Sequence, residues 1–480
     1  MLEEDVIIKH INNNNERVLL FNILCVVVLP AIFFGGASEF FTGVFISLGI
    51  VAPVNTLNYI AGDPQNRLRQ TALFAAATAP FLAALAITAI GLFNNSFELC
   101  AAGETQFFTM RAPENALPSA FSPDPLASLS PDLVSLAAFF AGFSLFTIAH
   151  SRLVIAKILL LCASAVALCM LLGCTAMFLW SVQTEMPNAR QFGYFSTFPD
   201  AAQWAAFAVI WFGAALALAV YYPQCFRIST FARSPRLFTL ISAGVLLGGI
   251  LCAGKPVHKL AAFAIGAFAF AVLAYQTMPI QRNARRHDLL RHVSSHAKRL
   301  KKMTPVFALY AAIFLAFAAV TAVSCAKIAQ EPARIFVDSS NANSITLDER
   351  RALFDDARGM LDKKHILFGY GSGSFPYAFS LFQGSDLGAT PWRTPNSDLL
   401  QKLIENGIIG LALSCSAFLL MFARWLFRPR LSGAGAVLLL ATAATLAISP
   451  IESPLQCTAV LASFWIVSMA FFKWEDAATV

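Results

Sequence analysis

Apolar residues do not alternate with polar ones along this chain; they come in unbroken runs of roughly twenty residues, separated by short polar stretches. A run of that length crosses about 30 Å of hydrocarbon as a helix. About twelve such segments can be read, at 18–35, 41–61, 71–94, 133–149, 153–180, 202–222, 237–254, 259–280, 304–326, 405–424, 433–450 and 456–473. Strands of a membrane barrel would alternate in character at every second position, so continuous runs predict helices. The fold expected is all-α and polytopic, with about twelve transmembrane helices and a large outer loop between the ninth and tenth.

Composition agrees with that pattern. Of 480 residues, 58% are hydrophobic and 13% charged, against roughly 25% charged in a soluble protein. The net charge of +7 reads as topology rather than nucleic-acid binding, because Lys and Arg gather in loops left in the cytoplasm. Arg67 and Arg69, Arg152 and Lys157, then Arg227, Arg233 and Arg236 sit in alternate loops, followed by the basic stretch 281–302 and "RWLFRPR". Twelve crossings put all of these on one side with both termini. The stretch 281–302 also has the make-up of an anionic-lipid site, which topology explains without further function. The polar N-terminus has no small-residue cleavage site after its first apolar run, so that run is expected to stay as the first helix.

The ten cysteines lie mostly inside apolar segments and show no paired metal-ligand spacing, so no metal and no cofactor is expected. Cys100 and Cys325 lie near the outer face and could pair. The membrane segments carry few charges, unlike an ion-coupled pump. Polar chemistry concentrates instead in three outer stretches. Residues 95–132 read as a lid or irregular loop, and 181–201 contain "NARQFGYFSTFPD". The third, 327–404, holds a predicted helix with apolar positions Leu347, Leu353, Phe354, Ala357, Met360 and Leu361, capped by Thr346 with Glu349 three residues on.

Four features of these stretches carry candidate chemistry. Arg190 is the one basic residue of its loop and sits beside Phe192, Tyr194 and Phe195; it can anchor to headgroups or clamp an anion, since guanidinium matches phosphate oxygens. Arg351 lies on the predicted loop helix, whose apolar face is placed to lie on the membrane bundle and point Arg351 along it; its basic neighbours Arg350, Arg358, Lys363 and Lys364 also fit a solvated charged face. "GYGSGSF" lacks the nucleotide-binding glycine pattern and reads as a tight turn. "TPNSDLLQKLIENGIIG" begins as a capped helix, with Ser397 or Asn396 as N-cap and Asp398 at the positive helix end, and runs into the next membrane segment.

In order and spacing these pieces resemble the O-antigen ligase and polymerase superfamily over roughly 185–425. Arg351, Phe354 and Ala357 followed by "GYGSGSF" and "NSDLLQKLIENGIIG" are similar to its late pattern; Arg190, Gly193 and Phe195 are similar to its earlier one. The resemblance implies a membrane glycosyltransferase of lipopolysaccharide or other envelope polysaccharide assembly. Such an enzyme moves an undecaprenyl-pyrophosphate-linked glycan to an acceptor hydroxyl on a glycan, lipid or protein, at the periplasmic face of the bacterial inner membrane, without a bound metal.

Carried over by position, Arg190 and Arg351 would hold the pyrophosphate, with Asn396 and Asp398 completing the catalytic set. Gly369, Gly371, Gly373, Gln401 and Glu405 would form the substrate-binding set. Where the superfamily has His, this chain has Asn396, which cannot act as a base near neutral pH. Asn396 orients the acceptor, or Asp398 or another carboxylate supplies the base, or the chain binds lipid-linked glycan without transferring it. The domains expected are 1–326 (helices one to nine), 327–404 (periplasmic loop) and 405–480 (helices ten to twelve and a cytoplasmic end). A lipid or glycan transporter or flippase, and a non-catalytic member of an envelope assembly, are the other readings. Nucleic acid is not an expected partner.

Overall fold

The computed structural model describes residues 2–36, 39–102, 105–113, 115–184, 196–198, 200–222, 235–253, 255–277, 315, 319, 347–384, 392–427 and 431–477. In chain order these form α1 (Leu2–Ile32), α2 (Glu39–Ala61), α3 (Arg67–Gly91), a hairpin of β1 (Phe97–Ala102) and β2 (Thr105–Met110), then α4 (Pro125–Ile148) and α5 (Arg152–Thr184). They continue with α6 (Ala201–Tyr221), α7 (Pro235–Ala253), α8 (Pro256–Thr277), α9 (Leu347–Gly359), α10 (Phe375–Ala378), α11 (Asp398–Leu426), α12 (Gly433–Ile448) and α13 (Thr458–Asp476). Among the described residues, nine helices are long and apolar enough to cross a membrane. This is an all-α polytopic membrane protein, with one hairpin among the described residues. Of the predicted segment 304–326 only Leu315 and Ala319 are described, and the basic stretch 281–302 lies outside the described residues, as does Cys325.

The core is organised around α6, buried almost end to end and carrying Trp204, Phe207, Trp211 and Phe212. It packs on α5, α7, α8, α12 and α13. Close approach rests on small residues, as membrane packing requires. A methyl on Gly49 would overlap Ala137 of α4, and one on Gly142 would overlap the Trp465 backbone of α13. The Trp211 indole N–H is buried and donates to Ser463 Oγ at 2.9 Å, so its polar atom does not go unmet in the core.

The helices stand so that their loops gather at two ends. At one end Arg152 Nε donates to the Trp474 carbonyl at 2.9 Å, Arg424 pairs with Asp476, and His150 pairs with Glu16. At the other end lie Gly35 beside Phe198 and Cys457, the hairpin, the α7–α8 corner, residues 347–384 and 392–397, and the α12–α13 corner. All candidate chemistry that is described sits at this second end, here the motif end.

Two elements differ from the sequence reading. Residues 95–132 are not irregular throughout: Phe97 pairs with Met110 and Ala102 with Thr105 in an antiparallel ladder. Helix α4 begins at Pro125, eight residues before the apolar run at 133, because Asp124 caps it by accepting the Leu126 N–H at 2.9 Å. Helix α11 begins at Asp398, ahead of its apolar run at 405, and of the two caps expected it uses Ser397, whose Oγ accepts the Leu400 N–H at 3.3 Å. Hydropathy marks only the apolar part of a helix; a cap sets where it starts.

Candidate functional site

Residues 347–384 and the first turns of α11 build a small core of their own. Leu353 and Ala357 of α9, with Met360 just after it, face Phe121, Tyr370, Phe375, Phe379, Leu400 and Ile404, all buried. The apolar face of α9, expected on the membrane bundle, packs on the motif segments, among them the first turns of the membrane-length helix α11. Phe354, expected on that face, is 41% exposed, since it lies about 100° round the helix from Leu353. Thr346, the expected cap, lies outside the described residues, and α9 ends at Gly359, before the glycine turn. Arg351 is exposed on α9, free of the small core.

Helix α11 is broken. Gly407 adopts φ 64° and ψ −171°, a conformation essentially confined to glycine. The break releases backbone groups that a continuous helix would pair internally, and the glycine turn takes them up. Tyr370 N–H donates to the Ile404 carbonyl at 2.9 Å and Gly371 N–H to the Glu405 carbonyl at 2.7 Å. In return Ile408 N–H donates to Ile366 at 2.9 Å and Ile409 N–H to Leu367 at 3.1 Å. The contact is backbone on backbone. A methyl on Gly369 (φ 72°) would overlap the Glu405 carbonyl, and one on Gly407 would overlap that of Leu367. "GYGSGSF" and "ENGIIG" are thus two halves of one joint.

Side chains brace the joint. Glu405 is buried and its Oε1 accepts from the Phe375 N–H at 3.3 Å and from Gln401 Nε2 at 3.1 Å. Lys402 Nζ reaches Asp132 Oδ1 of α4 at 3.2 Å, and Thr88 Oγ1 of α3 donates to Asp132 Oδ2 at 2.6 Å. The Tyr370 hydroxyl donates to the Met360 carbonyl at 3.0 Å; burial first, then the Asp362 carboxylate, push its phenol up from the ordinary tyrosine value, so it remains a neutral donor.

Asn396 precedes the helix with φ 54°, a left-handed backbone that Asn tolerates better than most side chains. It is half-buried. Two residues on, the buried Asp398 carboxylate accepts from Ser449 Oγ and Leu455 N–H, each at 3.0 Å. That ties α11 to the corner between α12 and α13. His365, the nearest histidine in sequence to the glycine turn, is also committed. Its Nδ1 meets Asp362 Oδ1 at 2.9 Å, its Nε2 meets the Asn115 carbonyl at 3.0 Å, and its ring stacks on Tyr370 at 4.3 Å.

Sequence reading missed a second polar cluster beside these residues. Glu452, 5% exposed, accepts Arg350 of α9 on Oε1 at 3.2 Å and Lys255 of the α7–α8 corner on Oε2 at 3.1 Å. His258 of α8 is fully buried within electrostatic reach of both Glu452 and Lys255, and neither ring nitrogen has a hydrogen-bond partner among the described residues. No periodic or spaced motif joins residues so distant in sequence; the one available signal was that Lys255, His258 and Glu452 are polar residues in short outer turns. Arg190 lies outside the described residues. The structure therefore brings Arg351, the glycine turn, Asn396, Asp398, Gln401 and Glu405 to one end of the bundle, with exposed cation, half-buried amide and buried carboxylates in that order of depth. Such an end can hold an anion at its surface on guanidinium while presenting a neutral hydrogen-bonding group beneath it.

Residues 204–415 match the family described as O-antigen ligase, a stretch from α6 into α11 that contains Arg351, the glycine turn and Asn396–Gly410. No curated protein and no solved structure matches the chain.

Proposed function

We propose, from the match of residues 204–415 to the O-antigen ligase family, that the chain is an O-antigen ligase-like protein that transfers a glycan from a polyprenyl-pyrophosphate carrier to an acceptor hydroxyl. The reaction would take place at the motif end, facing the periplasm. One observation supports this reading above the others: the glycine turn and the Glu405–Gly410 stretch, two of the late superfamily motifs, are joined by backbone hydrogen bonds between 366–371 and 404–409, beside the helix that carries Arg351. Arg351, with Arg190, would bind the pyrophosphate. The acceptor oxygen forms a bond to the anomeric carbon as the bond to the carrier phosphate breaks, and the electron pair leaves on the pyrophosphate.

Charge on the leaving group is what the transition state must stabilise, and preorganised guanidinium groups meet it without a metal. Pyrophosphate is a good leaving group, so the demand on a base is small. Asn396 would accept a hydrogen bond from the acceptor hydroxyl and orient it, and the proton passes to water once the new bond is advanced. Asp398 supports this reading from below, since its carboxylate anchors α11 to the α12–α13 corner. The basic loops at the opposite end favour a cytoplasmic location for that end.

The test is transfer of lipid-linked glycan by purified protein in nanodiscs. Replacing Arg351 by Ala should slow transfer by about 10²–10³-fold, as loss of one charge-stabilising donor does elsewhere, while Asn396→Ala raises the acceptor KM. Unchanged transfer by Arg351→Ala at normal protein level would remove the assignment. A second reading, translocation of a lipid-linked glycan, draws on the break at Gly407, since broken helices line transporter sites. Here the freed backbone groups are taken up by the glycine turn, which favours transfer. Movement of labelled glycan lipid across a liposome bilayer without covalent product would reverse that preference.

A further inference from the structure

Arg351 and Asn396 belong to different elements, and their relative placement needs a common support. That support is the corner between α12 and α13, residues 449–455. Its acidic residue, Glu452, meets three separate elements. On Oε1 it takes Arg350 at 3.2 Å, the residue next to Arg351 in the same turn of α9, and the same guanidinium donates to the Ile451 carbonyl. On Oε2 it takes Lys255 at 3.1 Å from the α7–α8 corner. Through its backbone carbonyl it takes the Asp398 N–H at 3.4 Å, which is shared with Ser449 at 3.0 Å, two residues after Asn396.

We propose that Glu452 is a positioning residue of this site: it latches α9 and the Asn396 turn to one corner and so sets Arg351 against the acceptor position. Its carboxylate touches no proposed reacting atom, and it lies outside the matched stretch 204–415. The geometry suits a latch. The carboxylate is buried and carries one charge between two cations, so each of its oxygens is held by a charge-assisted bond of fixed direction. Arg350 is only 30% exposed in its side chain, so α9 cannot swing without breaking that bond. The small core under Leu353, Ala357 and Met360 fixes how deep α9 sits, and the Arg350–Glu452 pair fixes its rotation. This inference rests on the role given to Arg351 above.

The test uses the full chain in nanodiscs with Glu452→Gln, Glu452→Asp, Arg350→Met and the double variant Arg350→Met/Glu452→Gln. Two readouts are taken: hydrogen exchange of the α9 amides, and kcat and KM for glycan transfer. The latch predicts that Glu452→Gln and Arg350→Met each speed exchange in 347–359 but not in 366–371, and lower kcat by about 10–100-fold with KM for the donor little changed. That is the size of effect that small misplacement produces. The double variant should be no worse than either single one, and Glu452→Asp should recover part of kcat. Unchanged α9 exchange in Glu452→Gln overturns the proposal. So do single losses that multiply in the double variant, or faster exchange throughout the motif end. Normal transfer by Arg351→Ala together with faster α9 exchange in Glu452→Gln would overturn the role of Arg351 and leave the latch standing as structure alone.

Discussion

Gly407→Ala tests the joint most directly. The backbone at 407, φ 64° and ψ −171°, lies where a side chain costs about 1–3 kcal/mol. The added methyl would also meet the Leu367 carbonyl and Phe368 nitrogen. These are backbone atoms with no rotamer to move. Relief comes from parting the two segments, which breaks the bonds from Ile408 N–H to Ile366 at 2.9 Å and from Ile409 N–H to Leu367 at 3.1 Å. Ile408 is 47% exposed and Ile409 half-buried, so each amide so freed forfeits the net worth of its hydrogen bond, about 0.5–1.5 kcal/mol. The total is roughly 2–6 kcal/mol, and its lower bound corresponds to about a thirtyfold change in an opening equilibrium. Hydrogen exchange at Ile408 and Ile409 reads that equilibrium locally. Expected is at least about a thirtyfold loss of protection there, spreading to 366–371, with glycan transfer lost. Gly359→Ala is the control: a methyl at Gly359 meets nothing within 4 Å, so protection should hold. If Gly407→Ala keeps its protection at Ile408 and Ile409 within about threefold, the argument that these glycines form one joint is wrong.

Two further outcomes follow from the braces. Glu405→Ala strands the buried Phe375 N–H and Gln401 amide, so it should destabilise the turn by about 1–3 kcal/mol, read as faster exchange at 370–376; wild-type exchange there would show that the carboxylate is no brace. His365→Ala removes the link to Asn115 and should expose 111–118 to limited proteolysis while the membrane bundle keeps its thermal transition; an unchanged cleavage pattern would refute the link.

Much of the fold was legible because membrane helices obey a local rule. Each apolar run declares itself by length and hydropathy, and no distant residue can veto it in a solvent with nothing else to pair a backbone. The helix starts were less legible. Asp124 sets α4 back from its apolar run through a single side-chain bond, which hydropathy does not register, whereas the polar stretch before α11 had offered Ser397 or Asn396 as its cap and the structure uses Ser397. The face of α9 was half legible: spacing marked Leu353, Ala357 and Phe354 alike, yet Phe354 stays exposed because it lies about 100° round the helix from Leu353.

At the site, the sequence by itself determined which residue types stand in which order: the arginines, the glycine turn and the Asn396–Gly410 stretch carry their order in their spacing. Only the tertiary structure decided what they do to one another. The glycines of 369 and 407 turned out to answer each other across a break, since a freed carbonyl can be paired by any backbone that comes near it. Glu452 meets Lys255 from 197 residues away, and its neighbour Ile451 meets Arg350 from 101 residues away. Local pattern follows from bonds between near neighbours in the chain; a buried carboxylate takes whichever cations the packed helices bring to it, and that is settled only when they are packed.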